Sequence, residues 1–199
     1  SLGYYINPLV SIALGIVVLD ERPNALRGIA IGFAALGVFT LTAHEGRLPW
    51  ISILLATTFA LYGLIHKLRP QPPLGGLCRE MIILAPVALI AFLWLASTGR
   101  SSLIEAPLQD HLYLSFSGFV TATPLLLFHA ATRRLPLVAV GMFQYIAPTI
   151  ALVLATTAFG EPFSQMHSVG FGLVWIGLAF FTYDSIHPKG PIPRSSEPD

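Results

Sequence analysis

Residues Val140–Phe163 read VGMFQYIAPTIALVLATTAFGEPF, and a related version of this stretch lies near the start of the chain. A gapless shift of 140 positions places Tyr145, Ile146, Pro148, Leu154 and Glu161 on Tyr5, Ile6, Pro8, Leu14 and Glu21. The same shift places Gly172, Gly177 and Thr182 on Gly32, Gly37 and Thr42. Repetition of Pro, Glu and Gly at fixed spacing within apolar segments indicates an internal duplication with a unit of about 140 residues.

The composition is that of an integral membrane protein. Of the 199 residues, 54% are hydrophobic and 11% are charged, and the mean hydropathy is +0.72. Soluble domains carry about 25% charged residues, so this chain has too few charges to cover a surface in water. The lipid bilayer is therefore its predicted partner. The net charge of +1 says little about partners, and no nucleic acid is expected among them.

Seven segments are long and apolar enough to cross a hydrocarbon layer, which needs about 20 residues of helix. They are Leu2–Leu19, Leu26–Ala43, Leu48–Ile65, Leu77–Ser97, Leu112–Thr132, Leu135–Gly160 and Ser168–Tyr183. Proline lies inside four of them and removes a backbone hydrogen bond from each, which kinks a helix. We therefore expect an all-α membrane protein whose sixth segment tilts or kinks.

Lysine and arginine are unevenly distributed between the two ends of these segments. One side has only Arg47 and Arg100, and the other has nine basic residues: Arg22, Arg27, Lys67, Arg69, Arg79, Arg133, Arg134, Lys189 and Arg194. The positive-inside rule places the basic side in the cytoplasm. We therefore expect a cytoplasmic C-terminus, an external Ser1, and a disordered Pro- and Ser-rich cytoplasmic tail at 187–199.

The duplication also predicts an orientation. Segments 1 and 2 match segments 6 and 7, so the repeated unit has five helices, and an odd number inverts the second copy. Inverted repeats around a central site are typical of secondary transporters. Residues 1–46 would then be the last two helices of a first repeat, and 47–186 a complete second repeat. Three helices would precede Ser1, so we expect a truncated form of a ten-helix protein.

The candidate binding residues cluster around the two repeated prolines. Tyr5, Asn7 and Pro8 lie in one copy, and Gln144, Tyr145 and Pro148 in the other. A polar face on a kinked helix either lines a cavity or makes hydrogen bonds between helices, because Gln144 is costly in hydrocarbon. Both interpretations stay open from the sequence. Tyr62, Glu80 and Thr121 complete the predicted substrate path.

Other polar residues have two interpretations each. Glu80 is either a proton-coupling carboxylate one turn into its helix or an interfacial partner of Arg79 or another basic group. His129 is either a snorkelling interfacial side chain or a proton relay. Glu21 and Glu161 are expected to cap the helices that follow them. The small-residue pairs Gly28–Gly32, Gly170–Gly177 and Gly172–Gly177 predict close packing within the bundle or in a homodimer.

Enzymatic signatures are absent from the sequence. It has no HExxH or GxSxG motif, no paired intramembrane carboxylates and no phosphate-cradling loop. No Cys/His cluster has metal-ligand spacing. We therefore expect no catalytic residues, no metal and no cofactor, and we regard a membrane enzyme as the weakest hypothesis.

Three stretches carry a family resemblance: residues 1–23 (SLGYYINPLVSIALGIVVLDERP), 47–67 (RLPWISILLATTFALYGLIHK) and 124–163 (PLLLFHAATRRLPL through FGEPF). They resemble the RarD group of EamA-domain proteins in the drug/metabolite transporter superfamily. The resemblance implies a bacterial inner-membrane permease of two inverted five-helix repeats around a central cavity, with small metabolites or drugs such as chloramphenicol as substrates. The alternative is a non-transporting membrane scaffold, accessory protein or inactive truncated transporter.

Overall fold

The computed structural model describes residues 3–43, 50–98, 106–160 and 165–187. All regular structure in these ranges is helical. The helices are α1 (Gly3–Val18), α2 (Ala25–Ala43), α3 (Trp50–Leu68), α4 (Pro73–Ser97), α5 (Leu108–Arg134), α6 (Leu137–Gln144), α7 (Ile146–Thr157) and α8 (Gln165–Ile186). Glu161 and the predicted tail beyond His187 lie outside the described residues.

Six spans in the described ranges are long and apolar enough to cross a membrane, with α6 and α7 together forming one of them, and α1 is a shorter apolar helix. This confirms an all-α membrane protein with multiple spans. The predicted kink of the sixth segment is a break between Gln144 and Ile146. Helix α4 begins at Pro73, a turn earlier than predicted, because proline fits the first helical position, where no N–H is needed.

The described residues form two compact units. The first comprises the residues up to Leu64 and those from Pro136 onward, and the second comprises Ile65–Leu135. These units reflect which residues pack together, whereas the predicted repeat boundaries at 46 and 186 describe an internal duplication of the sequence. The repeat boundaries therefore stay a prediction.

In the first unit, α2 packs on α8 along a seam of small residues. A Cβ built on Gly37 would lie 2.5 Å from the carbonyl oxygen of Gly170, and one built on Gly177 would lie 2.6 Å from that of Ala30. Contact positions rise along α2 as they fall along α8, so the two helices run antiparallel. The 140-residue shift exchanges these two contacts, since it places Gly177 on Gly37 and Gly170 on Ala30.

The predicted seams are only partly correct. Gly170 and Gly177 lie in the α2–α8 seam, but a Cβ on Gly28, Gly32 or Gly172 would meet nothing within 4 Å. The inner face of α2 is instead formed by Ala30, Ala34 and Gly37. The GxxxG pattern of Gly28 and Gly32 therefore lies on a different face of the helix from this seam.

Helix α1 crosses α6, also in an antiparallel direction. Gly141 allows the approach, because a Cβ there would lie 2.9 Å from the carbonyl oxygen of Pro8 and 2.7 Å from Cγ1 of Ile12. At the end of the crossing, both carboxylate oxygens of Glu21 accept hydrogen bonds from the N–H groups of Leu137 and Val138, at 2.6 and 2.8 Å. Glu21 thus caps α6, not the helix that follows it as expected, because the turn after α1 points its side chain back toward Gly15.

Candidate functional site

The α1–α6 crossing is built around the break that Pro148 introduces. Proline has no N–H, so the carbonyl of Gln144 loses the donor that an unbroken helix would supply. The chain tightens there, and the N–H of Tyr145 bonds to the carbonyl oxygen of Met142, three residues back, at 3.2 Å. The hydroxyl of Thr149 donates to the carbonyl oxygen of Tyr145 at 2.8 Å and accepts from Nε1 of Trp175 at 3.2 Å. These polar contacts hold the kinked segment against α8.

Asn7 and Gln144 meet at this crossing. Nδ2 of Asn7 donates to Oε1 of Gln144 at 2.9 Å, which joins α1 to α6. Each amide keeps one further buried polar atom, Oδ1 of Asn7 and Nε2 of Gln144, that has no hydrogen-bond partner in the described part of the chain. The hydroxyl of Tyr145, whose side chain is fully buried, is in the same situation. The crossing therefore holds buried donors and acceptors beyond those that its own contacts use.

The remaining candidates near the prolines are placed as follows. The ring of Tyr5 packs edge-on against Phe171 of α8, with centroids 5.4 Å apart. Pro8 and Pro148 are buried. Six of the nine predicted residues thus belong to α1, α6 or α7, or to the turn between α6 and α7.

Tyr62, Thr121 and Glu80 lie elsewhere. Tyr62 is on α3 beside Phe59, with ring centroids 5.9 Å apart. Thr121 is exposed on α5, and its hydroxyl donates to the carbonyl oxygen of Ser117 in its own helix. Glu80 belongs to the second unit, in the third turn of α4, because the helix begins earlier than the sequence predicted.

Glu80 has a partner that the sequence analysis did not name. Its Oε1 lies 2.8 Å from Nε2 of His66, in the last turn of α3. The His66 ring stacks on the ring of His129, with centroids 3.8 Å apart. His129 is only 2% exposed, so the expectation of a snorkelling side chain is wrong. We call His66, Glu80 and His129 the triad.

A family model described as "EamA-like transporter family" matches residues 48–183. The chain belongs to this family. Over 98% of its length it is 40% identical to an uncharacterized transporter of Pseudomonas aeruginosa, covering 65% of that protein. It is also 41% identical over 94% of its length to Protein RarD of Streptomyces exfoliatus, covering 59% of that protein. These matches confirm the resemblance to the RarD group.

A more distant relative carries a name that mentions a drug. The chain is 29% identical over 93% of its length to the "Chloramphenicol-sensitive protein RarD" of P. aeruginosa, and it covers 61% of that protein. The chain thus spans about three fifths of the length of the curated EamA-family relatives it matches. No solved structure matches it. With bacterial relatives and several spans, it is a multi-pass protein of the bacterial inner membrane.

This EamA-family chain also contains a buried ion pair that the sequence analysis missed. Asp184 accepts from Nε of Arg27 and from Nδ2 of Asn24, both at 2.7 Å, and its side chain is 4% exposed. The seventh predicted segment ends at Tyr183, whereas α8 continues to Ile186 and includes Asp184. Asp184 is therefore, like Glu80, an acidic residue within a membrane span. The sequence signal for this ion pair is an acidic residue near the end of one apolar segment, Asp184, and a basic residue near the start of another, Arg27.

Proposed function

We propose that the intact protein is a membrane transporter, secondary-active or facilitative, which carries a small, uncharged amphipathic molecule past the α1–α6 crossing. One observation carries this proposal: Asn7, Gln144 and Tyr145 hold buried polar atoms without partners in the described residues. Buried polar groups in hydrocarbon are costly and are retained where they face protein or a water-filled path. Buried polar atoms without partners, next to a helix break, fit a transport path better than a purely structural contact.

The chemistry of the crossing indicates the class of substrate. The leftover atoms are an amide oxygen, an amide nitrogen and a phenolic hydroxyl, which together accept and donate without carrying charge. Apolar and aromatic neighbours such as Phe171 surround them. A neutral molecule with hydroxyl or amide groups and an apolar body matches this environment. Chloramphenicol, named in one relative, has that character.

The proposed architecture is the ten-helix inverted repeat with 5 + 5 helices, of which this chain holds 1–46 and 47–186. Two features of the α2–α8 pair support it: the helices run antiparallel, and the 140-residue shift exchanges the contacts of Gly37 and Gly177. We also propose a cytoplasmic C-terminus from the distribution of basic residues. Reporter fusions after His187 test this orientation, and an external reporter signal contradicts it.

The test of transport uses the full-length protein in proteoliposomes and radiolabelled chloramphenicol as the probe. We expect Asn7→Ala and Gln144→Ala each to reduce flux at least tenfold while the amount of inserted protein stays unchanged. Glu80→Gln tests the predicted coupling carboxylate in the same assay. The matched control is Thr123→Val, whose hydroxyl only contacts the carbonyl oxygen of Phe119 in its own helix.

Unchanged flux in Asn7→Ala and Gln144→Ala removes the crossing from the transport path. It then favours the second hypothesis, a membrane scaffold in which the same hydrogen bond only joins helices. A homodimer through the outward-facing Gly28 and Gly32 belongs to that hypothesis as well. Cross-linking of cysteines introduced at these two glycines tests the dimer directly.

A further inference from the structure

The triad brings three metal-ligating side chains together within the second unit, from the last turn of α3 and from α4 and α5. His66 comes from α3, Glu80 from α4 and His129 from α5. One ligand atom from each of them lies within 4.8 Å of the other two. His66 and Glu80 are partly shielded, with 14% and 29% of their side chains exposed, and His129 is buried. Sequence spacing does not show this cluster, because its members are far apart in the chain.

The donor set is that of a transition-metal site. Two imidazole nitrogens and one carboxylate oxygen are the three protein ligands of many zinc sites that keep a fourth position open. Bonds of about 2.0–2.2 Å in a tetrahedron separate the ligand atoms by roughly 3.3 Å. The His66–Glu80 distance of 2.8 Å is already shorter than that. The longest separation is no more than 4.8 Å, so it must close by about 1.5 Å at most, and side-chain rotations can both close it and open the stacked rings.

The surroundings of the triad suit this role. A Cβ on Gly76 would lie 3.8 Å from Nδ1 of His129, so α4 leaves the ring ordinary van der Waals space. The side chains of Arg79 and Arg133, on the same helices as Glu80 and His129, are exposed.

We propose that His66, Glu80 and His129 form a binding site for a divalent first-row transition-metal ion, with Zn²⁺ the best match to the donors. A bound ion would link α3, α4 and α5 within the second unit. This proposal goes beyond transport and does not depend on it, since it concerns a different part of the chain from the α1–α6 crossing.

The first test uses Co²⁺ as a spectroscopic probe on the purified full chain in detergent, with any affinity tag removed. We expect one Co²⁺ per chain, visible as the absorption of a four-coordinate ion and displaced by Zn²⁺. His66→Gln, Glu80→Gln and His129→Gln should each weaken binding at least tenfold. The control is His111→Gln, an exposed histidine on the same helix as His129, which should leave binding unchanged.

Wild-type binding of Co²⁺ no tighter than that of the three triad variants, or an equal loss in His111→Gln, overturns the proposal. A second measurement needs no substitution and therefore survives a variant that fails to fold. X-ray absorption of the Zn²⁺-loaded wild-type chain should show two imidazole ligands at about 2.0–2.1 Å. A spectrum with oxygen ligands alone contradicts the site.

Discussion

The α2–α8 seam and the α1–α6 crossing are both antiparallel helix pairs in the same compact unit, yet they are built differently. The seam is closed by glycines against backbone carbonyls, and the Arg27–Asp184 ion pair joins its helices at one end. The crossing also uses a glycine, Gly141, but it contains two prolines and leaves polar atoms of Asn7 and Gln144 unused.

The difference indicates that the α2–α8 pair stabilises the fold and that the α1–α6 pair serves the proposed transport. Close backbone approach between small residues stabilises helix pairs in lipid, because burial of apolar surface adds little to their association free energy there. Proline kinks and surplus polar atoms reduce stability unless another molecule uses them. We therefore expect substitutions at the seam to act on folding and those in the middle of the crossing to act on transport. Four measurements of unfolding free energy in mixed detergent micelles test this comparison.

The largest effect is expected for Asp184→Ala at the end of the seam. It leaves the partly buried Arg27 without its carboxylate, and removing one partner of a buried pair costs about 3 kcal/mol. The control is Asp20→Asn, because asparagine tolerates the positive φ of 51° at this position and the pair with Arg22 is exposed, at 82% and 86% for the two side chains. Equal losses in the two variants show that the ion pair does not stabilise the seam.

Glu21→Gln tests the end of the crossing. The glutamine side chain keeps one oxygen, which can accept from the N–H of either Leu137 or Val138. Its NH₂ group then faces the second of these N–H groups and cannot accept from it. Losing one charged hydrogen bond should lower the unfolding free energy by about 1.5 kcal/mol. Asp110→Asn, an exposed carboxylate in the first turn of α5, serves as the control and should show no change.

Gly37→Ala should destabilise the seam by a smaller net amount. The added methyl group meets the backbone of Gly170 and Val174, so the helices must separate, at a cost of about 1–3 kcal/mol. Alanine also improves helix propensity by up to about 1 kcal/mol, so roughly 1 kcal/mol of net loss remains. Gly172→Ala has only the propensity gain and should be neutral or stabilising. A stabilised Gly37→Ala variant would falsify the close approach.

The smallest effect on stability is expected for the double variant Asn7→Ala, Gln144→Ala. Hydrogen bonds between helices in membranes contribute about 0.6 kcal/mol to stability on average. The double substitution removes both partners of the bond, so no unpaired amide remains from it. The proposed transport function predicts that this variant nevertheless loses flux. A loss of several kcal/mol would instead show that the amides serve folding, as at the seam.

The helices themselves could be predicted from apolar length, and the kink from Pro148 within a long segment. Pairing between helices could not be predicted, because it depends on which face of a helix carries its small residues. Gly28 and Gly32 have the familiar spacing but a Cβ on either meets nothing, whereas Ala30 and Gly37 make the contact. Helix α4 starts a turn before the predicted Leu77 because Pro73 occupies its first helical position.

Of the candidate site, the polar face around the two prolines was visible in the sequence, and the contact between Asn7 and Gln144 was not. The triad needed information that sequence spacing does not hold. Its three side chains all lie near helix ends on the predicted cytoplasmic side, so topology alone could have grouped them. Only the fold shows that the rings of His66 and His129 stack.

The cap that Glu21 places on α6 also sets an order of events during synthesis. The carboxylate and the N–H groups it binds are 116 residues apart in the chain. A ribosome that adds about 5–20 residues per second needs roughly 6–23 s to make that length. During this interval water must satisfy the charge of Glu21. The hydrogen bonds between Glu21 and α6 are therefore absent when α1 and α2 enter the membrane, and they form only after α6 has been made.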